Sequence, residues 1–241
     1  MSTERHQKGS QQWIEFSKLQ KFSSLKHATF LKPSDFGDYA NAGKEFEEQT
    51  HFCNQLLGSK ELVFTKQVHS NAIYHVTPSS RLHLPEADAI ITKERHVALG
   101  IRHADCQACI LFDPVDKALA VIHCGWKGNV LNIYQSTIAR LKKEFGSNPK
   151  NLIAVISPSL GPQASEFKNF KEEFPEDLWE FKNQSDHFNL WALAKKQLLD
   201  CGLLEDNIEL AELCTLSAPK DFHSYRRNKT LCRHATIACL Q

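Results

Sequence analysis

The sequence predicts an α+β fold in a single domain, and three observations carry that reading. Six short apolar runs, bounded by polar or turn residues, follow one another between residues 62 and 123. Two other stretches, near 130–145 and 190–199, carry the helical period instead. No internal repeat, low-complexity tract or Gly/Ser-rich linker divides the 241 residues, a length that suits one generous domain. If a boundary exists, 146–151 (GSNPKN) is where it would fall.

Residues 1–22 are polar and without clear period, so they read as an N-terminal tail or a peripheral strand, leaving 23–241 as the body of the protein. Over 41–57, Phe46, Cys53, Leu56 and Leu57 share a helical face and Gly58 stands at the stop. The strand-like runs are 62–64, 72–76, 89–91, 97–101, 108–112 and 118–123, with Pro85 and Asp113-Pro114 among the punctuating residues. Their shortness and β-branched content favour strands over buried helix. Asn129 is placed to cap a helix in which Val130, Ile133, Tyr134, Thr137, Ile138, Leu141 and Phe145 recur at helical spacing, closed by Gly146. A buried strand over 152–156 follows. Then come a helix from about Leu190 to Leu199, between Asn189 and Gly202, and a last strand over 235–240.

Composition excludes several classes. Hydrophobic residues make up 41% and charged residues 24% of the chain, with a net charge of +1, ordinary values for a globular protein with a sizeable core. Basic residues are scattered, the densest group being Arg226-Arg227 with Lys229, which argues against a nucleic-acid surface. The opening MSTERHQKGSQQWIEF lacks the apolar stretch of a signal peptide, and no run reaches the ~18 apolar residues of a membrane helix. The expectation is a cytoplasmic protein with neither membrane nor nucleic-acid partner. The 8 cysteines are then expected as reduced thiols, because disulfide frameworks belong to small secreted chains.

Three segments concentrate residues able to do chemistry: Thr65–Ser70 with His69, Ala104-Asp105-Cys106, and His123-Cys124-Gly125-Trp126-Lys127-Gly128. Imidazole and thiolate are natural zinc ligands, and three protein ligands with one open position is the catalytic pattern. Separations of 37 and 17 residues match no local metal motif, so spacing says only that strand ends could bring His69, Cys106 and His123 together. Read alone, a His such as His69 is usually a hydrogen-bonded polar residue, a Cys such as Cys106 an inert buried thiol, and Trp126 more often core than substrate platform. His123 precedes a glycine-rich turn and a helix start, where backbone N–H groups could also hold a phosphate.

The ordered segments TKQVHS, EADAIIT, HADCQACILFDP and AVIHCGWKG, with Phe222-His223-Ser224-Tyr225-Arg226-Arg227 near the C-terminus, resemble the laccase-domain family. That family is also labelled multicopper polyphenol oxidoreductase or peptidoglycan-editing factor, and its members have been described as purine nucleoside phosphorylases. The resemblance runs from about residue 60 to the end. It implies a layered α/β/β/α sandwich with mixed sheets, and a metal-dependent catalytic domain over 23–241. It also implies a metal, zinc or copper, on His69, Cys106 and His123, with Asp105 orienting a ligand or a substrate atom.

Purine nucleosides and phosphate are the implied substrates: adenosine, inosine, guanosine or methylthioadenosine. Adenosine deamination is a second implied activity, for which Asp105 and His103 are the nearby acid/base candidates. Lys127 and Arg227 are the expected phosphate-neutralising residues, and Trp126 or Tyr225 the stacking platforms. Departures from the family pattern fall at Lys32, in place of an Arg in a glycine-rich N-terminal stretch, and at Lys127, where Arg is common. The segment Ser159-Leu160-Gly161-Pro162 with Phe167 only partly matches its counterpart.

Three other readings use the same residues. A copper phenol oxidase would need several coppers, whereas one convincing triad is present. A cysteine hydrolase or peptidoglycan-editing amidase would use Cys106 as nucleophile with a His base. A non-enzymatic protein would close a structural zinc with a fourth ligand, Cys109 or Cys124. The second of these is disfavoured because adjacent strand residues point to opposite faces.

Overall fold

The computed structural model describes residues 3–37, 43–78 and 84–241. In chain order the elements are β1 (Thr3–Lys8), β2 (Gln11–Phe16), α1 (Ser17–Gln20), β3 (Leu25–Phe30), α2 (Lys44–Leu57), β4 (Glu61–Val63), β5 (Ile73–His75), β6 (Ala89–Thr92), β7 (Val97–His103), β8 (Gln107–Asp113) and β9 (Ala118–Cys124). They continue with α3 (Trp126–Val130), α4 (Ile133–Phe145), β10 (Ile153–Ile156), α5 (Phe170–Glu173), α6 (Leu190–Asp200), β11 (Ile208–Leu210), α7 (Tyr225–Asn228) and β12 (His234–Leu240).

The strands form two six-stranded mixed sheets, ordered β1-β2-β3-β12-β7-β4 and β11-β10-β8-β9-β6-β5. Period-two alternation explains how they stack. Along β9, Leu119 and Val121 join the apolar layer between the sheets, with Leu99 and Ile101 of β7 and Ile110 of β8. The alternate residues Ala120, Ile122 and Cys124 face outward onto Ile133, Ile138 and Leu141 of α4 and Leu198 of α6. The outer face of the first sheet, including Phe30, Ala98 and Ile237, is covered by Cys53 and Leu57 of α2. Helix, sheet, sheet and helix thus make a layered α/β/β/α sandwich. Among the described residues no helix is long and apolar enough to cross a membrane.

Three features differ from the sequence reading. Residues 3–16 form an antiparallel hairpin that extends the first sheet, closed by the two residues Gly9-Ser10, with Gly9 at φ 61°. Its outer strand shows no alternation because β1 lies at the sheet edge, where neither face is deeply buried. The stretch expected as one helix after Asn129 is two, because Asn132 takes the left-handed conformation (φ 47°) and its side chain caps α4 by accepting from Gln135 N–H. Asn129 is instead buried inside α3, its Nδ2 donating to Gly125 O. Finally, α2 begins at Lys44, and positions 41–42 of the expected helix lie outside the described residues.

Candidate metal centre and cavity

His123 is the second-last residue of β9, with the inward parity of Leu119 and Val121. At this end of the sandwich the inter-sheet layer gives way to polar groups. Cys106 lies in the short β7–β8 connection, one residue before β8 begins. His69 lies on the loop between β4 and β5, at φ 59°. The three side chains converge: one ligand atom from each lies within 4.8 Å of the others. The two imidazole rings are 4.9 Å apart and nearly perpendicular. Bonds of about 2.0–2.3 Å place tetrahedral ligands about 3–4 Å apart, so small side-chain adjustments bring this donor set onto one ion. His69 is exposed, Cys106 half-buried and His123 buried, so the cluster opens on one side only.

Asp88 organises this corner, a role that the sequence reading did not assign although the EADAIIT segment contains it. It is fully buried. Its Oδ1 accepts from His123 Nδ1 at 2.8 Å and from His69 N–H at 3.0 Å. Its Oδ2 accepts from Val68 N–H, Ser70 N–H and Ser70 Oγ. One carboxylate therefore holds the backbone of the His69 loop and fixes the His123 tautomer, leaving Nε2 for a metal. Burial opposes the charge on Asp88, yet these hydrogen bonds, led by that from His123, hold its carboxyl down to about 2. Burial likewise opposes ionisation of Cys106, but His123 and His69 bring its thiol down to about 6. For His123 burial lowers basicity, while Cys106 and Asp88 outweigh it and raise the imidazole to about 9. Without metal, Cys106 and His123 thus each favour the charged form of the other.

Gly125 is required here by space rather than by backbone, since its φ is −80°. A Cβ at this position would lie 2.9 Å from Cys106 Sγ and 3.2 Å from a carbon of the His69 ring. Cys109 and Cys124 are buried in the outer core, neither belongs to the His69, Cys106 and His123 cluster, and burial pushes both thiols up.

The cluster faces a cavity of about 750 Å³. Its aromatic side is Trp126, Phe167 and Tyr225, and its cations are Arg102, Lys168, Arg226, Lys229 and Arg233, against Asp105, Glu166 and Glu173. Trp126 and Phe167 belong to an aromatic cluster with Phe174 and Phe188. Tyr225 is 45% exposed and lies under Lys229 Nζ, 4.7 Å from the ring centroid.

The expected anion-binding residues are not the ones lining this cavity. The Arg227 guanidinium donates to the carbonyls of Phe222, Thr215 and Leu216, which makes it a clamp on the C-terminal loop. Lys127 is absent from the lining, with its ammonium over the Trp126 ring at 5.5 Å. Lys32 likewise lies off the cavity, donating to Pro219 O. Arg226, one position from Arg227, does line it. Single-residue offsets of this kind are invisible where a short helix such as α7 sets the direction of each side chain.

The two acid/base candidates are also engaged elsewhere. Asp105 accepts hydrogen bonds from Thr215 Oγ1, Ser224 Oγ and Arg226 N–H. His103 is buried against Thr236 Oγ1 at 2.9 Å, and burial lowers its basicity to about 3.

A two-sheet sandwich with a His/Cys/His cluster that could hold a metal ion at a cavity floor defines the class, and comparison with known proteins identifies the family. The model for the multi-copper polyphenol oxidoreductase laccase family matches residues 34–241, and the chain belongs to that family. A Bacteroides thetaiotaomicron protein named purine nucleoside phosphorylase is 31% identical over 189 residues, 74% of this chain. The match spans 66% of that relative, just under two thirds of its length. A Clostridium acetobutylicum protein, also named purine nucleoside phosphorylase, is 30% identical over 234 residues, covering 89% of this chain and 94% of its own. The crystal structure of YlmD from Geobacillus stearothermophilus superposes with a TM-score of 0.84, covering 98% of both chains at 20% identity, which establishes the shared fold.

Proposed function

We propose that this protein is a zinc-dependent purine nucleoside phosphorylase. The observation that carries the reading is the convergence of His69, Cys106 and His123 on the floor of a cavity lined by both aromatic rings and cations. The names of the relatives agree with it. Two imidazoles and one thiolate suit zinc, which accepts nitrogen and sulfur in a tetrahedral shell with one position open. The family's copper-based name fits less well. Among the described residues one cluster of potential ligands is found, and a multicopper site needs several.

Bound zinc would supply a Lewis acid to an oxygen of phosphate or ribose. The protein groups do the rest. Asp88 holds His123 by Nδ1 and keeps the His69 loop in register. The Arg226 guanidinium and Lys229 ammonium neutralise phosphate as it approaches C1′ of the ribose, taking the role expected of Arg227 and Lys127. Phosphate oxygen forms the new bond to C1′, the C1′–N9 bond breaks, and the electron pair leaves with the base, which takes up a proton. Trp126, Phe167 and Tyr225 offer apolar surface for the purine and sugar. Adenosine deamination gains no comparable support, because Asp105 and His103 are both held by other partners.

The test is turnover of adenosine and inosine with phosphate, using metal-analysed protein and its chelator-stripped form. Ribose-1-phosphate and free base from the one-zinc form alone are the expected products. Inosine formed from adenosine without phosphate would replace phosphorolysis by deamination. No product from zinc-replete protein would remove the enzymatic reading.

A further inference from the structure

Asp105 sits between the metal corner and the cationic wall. The next residue is Cys106. Its own backbone is left-handed, at φ 86°, a conformation that Asp and Asn tolerate better than other side chains. The residue is buried, at 8% exposure. Oδ1 accepts from Thr215 Oγ1 at 2.6 Å, and Oδ2 accepts from Arg226 N–H at 2.6 Å and Ser224 Oγ at 3.1 Å. Its main-chain oxygen accepts from Leu160 N–H at 2.9 Å. Segments around residues 160, 215 and 224–226 therefore meet on one residue.

We propose that Asp105 is a positioning residue that sets the Arg226 guanidinium relative to the metal ligands. This rests on the phosphorylase reading, because it assigns the phosphate to Arg226. Cys106 is joined to Asp105 by one peptide bond, and Arg226 is joined to it by a 2.6 Å hydrogen bond on its own amide. The cation thus reaches the cavity from an anchor one residue away from a metal ligand. Three donors occupy three of the roughly four lone-pair sites of the carboxylate and fix its orientation.

The C-terminal arm also has anchors of its own. Arg226 Nη1 donates to Glu166 O, Ser224 Oγ accepts from Arg227 N–H, and Arg227 holds three carbonyls. Loss of the Asp105 carboxylate should therefore shift the arm rather than unfold it. Displacement of a binding group by about 1 Å is enough to lower rate or affinity on the order of 10²-fold.

Asp105→Asn tests the idea. It keeps the left-handed residue but turns one acceptor into a donor facing Thr215 Oγ1 or Arg226 N–H. Three quantities are measured on wild type and variant. These are zinc affinity by chelator competition, binding of inorganic phosphate to zinc-loaded protein by calorimetry, and kcat with KM for phosphate. The expected result is zinc affinity within about threefold of wild type, with phosphate Kd and KM raised about 10- to 100-fold. Thr215→Val, which removes one anchor without touching the backbone beside Cys106, should raise phosphate Kd by a smaller factor at unchanged zinc affinity. It decides the matter if Asp105→Asn does not fold.

Weaker zinc binding with unchanged phosphate binding would overturn the proposal and make Asp105 a support of the metal alone. Unchanged values for both would overturn it outright. Failure of the parent reading looks different: wild-type zinc protein would then neither bind phosphate nor release base from a nucleoside.

Discussion

The metal corner and the cationic wall face the same cavity but are held in different ways. His123 stands on a strand buried from end to end, and Cys106 abuts the start of another. One buried carboxylate, Asp88, ties His69 and His123 together with five hydrogen bonds. The cationic wall comes, apart from Arg102 of β7, from α7 and the loops around 160–174 and 213–233, and side chains bonding to backbone carbonyls set its direction, as Arg226 does at Glu166 and the neighbouring Arg227 does at Phe222 and Leu216. The cluster thus rests on one buried strand and on two loops, one fixed by Asp88 and one adjoining β8, a support that limits side-chain displacement. The wall is built mostly on loops, and its geometry is correspondingly easier to disturb.

Breaking the corner should have the largest effect. His123→Ala is expected to abolish zinc binding and turnover while circular dichroism and folding cooperativity persist, since the residue lies at a strand end. Full activity in that variant would remove the proposed site. Asp88→Ala leaves the ligands in place but frees the His69 loop and the His123 tautomer. Zinc affinity should fall about 10- to 100-fold, and chelator competition measures it. An unchanged affinity would mean that the strands alone orient the ligands.

Exchanging neighbours on the wall sharpens the contrast. Arg226→Gln should raise KM for phosphate by about tenfold or more, a loss of about 1.4 kcal/mol, with a smaller drop in Tm than at Arg227, because at close range it abandons one carbonyl, that of Glu166. Arg227→Gln should do the reverse, lowering stability by about 1–3 kcal/mol through its abandoned carbonyls, with denaturant titration as the measurement. Equal effects of the two on KM would erase the distinction.

Smaller effects follow from crowding and charge inside the corner. Gly125→Ala forces a methyl against Cys106 Sγ and should cost about 1–3 kcal/mol of stability, visible as a lower Tm in metal-free protein. In the same metal-free state Cys106 should alkylate with a midpoint near pH 6. Its depressed pKa makes the reactive thiolate persist above that pH and vanish as the pH falls through it. Zinc should block the reaction. A midpoint near 8.5, the value of an unperturbed thiol, would show that the His123 pairing is absent.

Much of the architecture could be read from residues 62–123, where apolar runs on both sides of each turn leave few alternatives to strand, and β6 to β9 follow those runs closely. Asn189 and Gly146 marked helix ends by local chemistry, and both serve there. The hairpin over residues 3–16 was harder, because an edge strand buries too little to impose a pattern. Asp88 was visible only as a member of a motif, since its five partners come from residues 68–70 and 123 and no local rule joins them.

What the sequence determined by itself is the inventory and the order: which residues bear imidazole, thiolate or guanidinium, and which stretches alternate or repeat as strand or helix. These are local properties, written in periods of two and 3.6 residues. Only the tertiary structure decided that Arg226 rather than Arg227 lines the cavity, that the Asp105 carboxylate accepts from Thr215, Ser224 and Arg226, and that Gly125 must lack a side chain. Each depends on the direction of one bond against a neighbour more than 10 residues away. Packing selects that direction, and no local pattern encodes it.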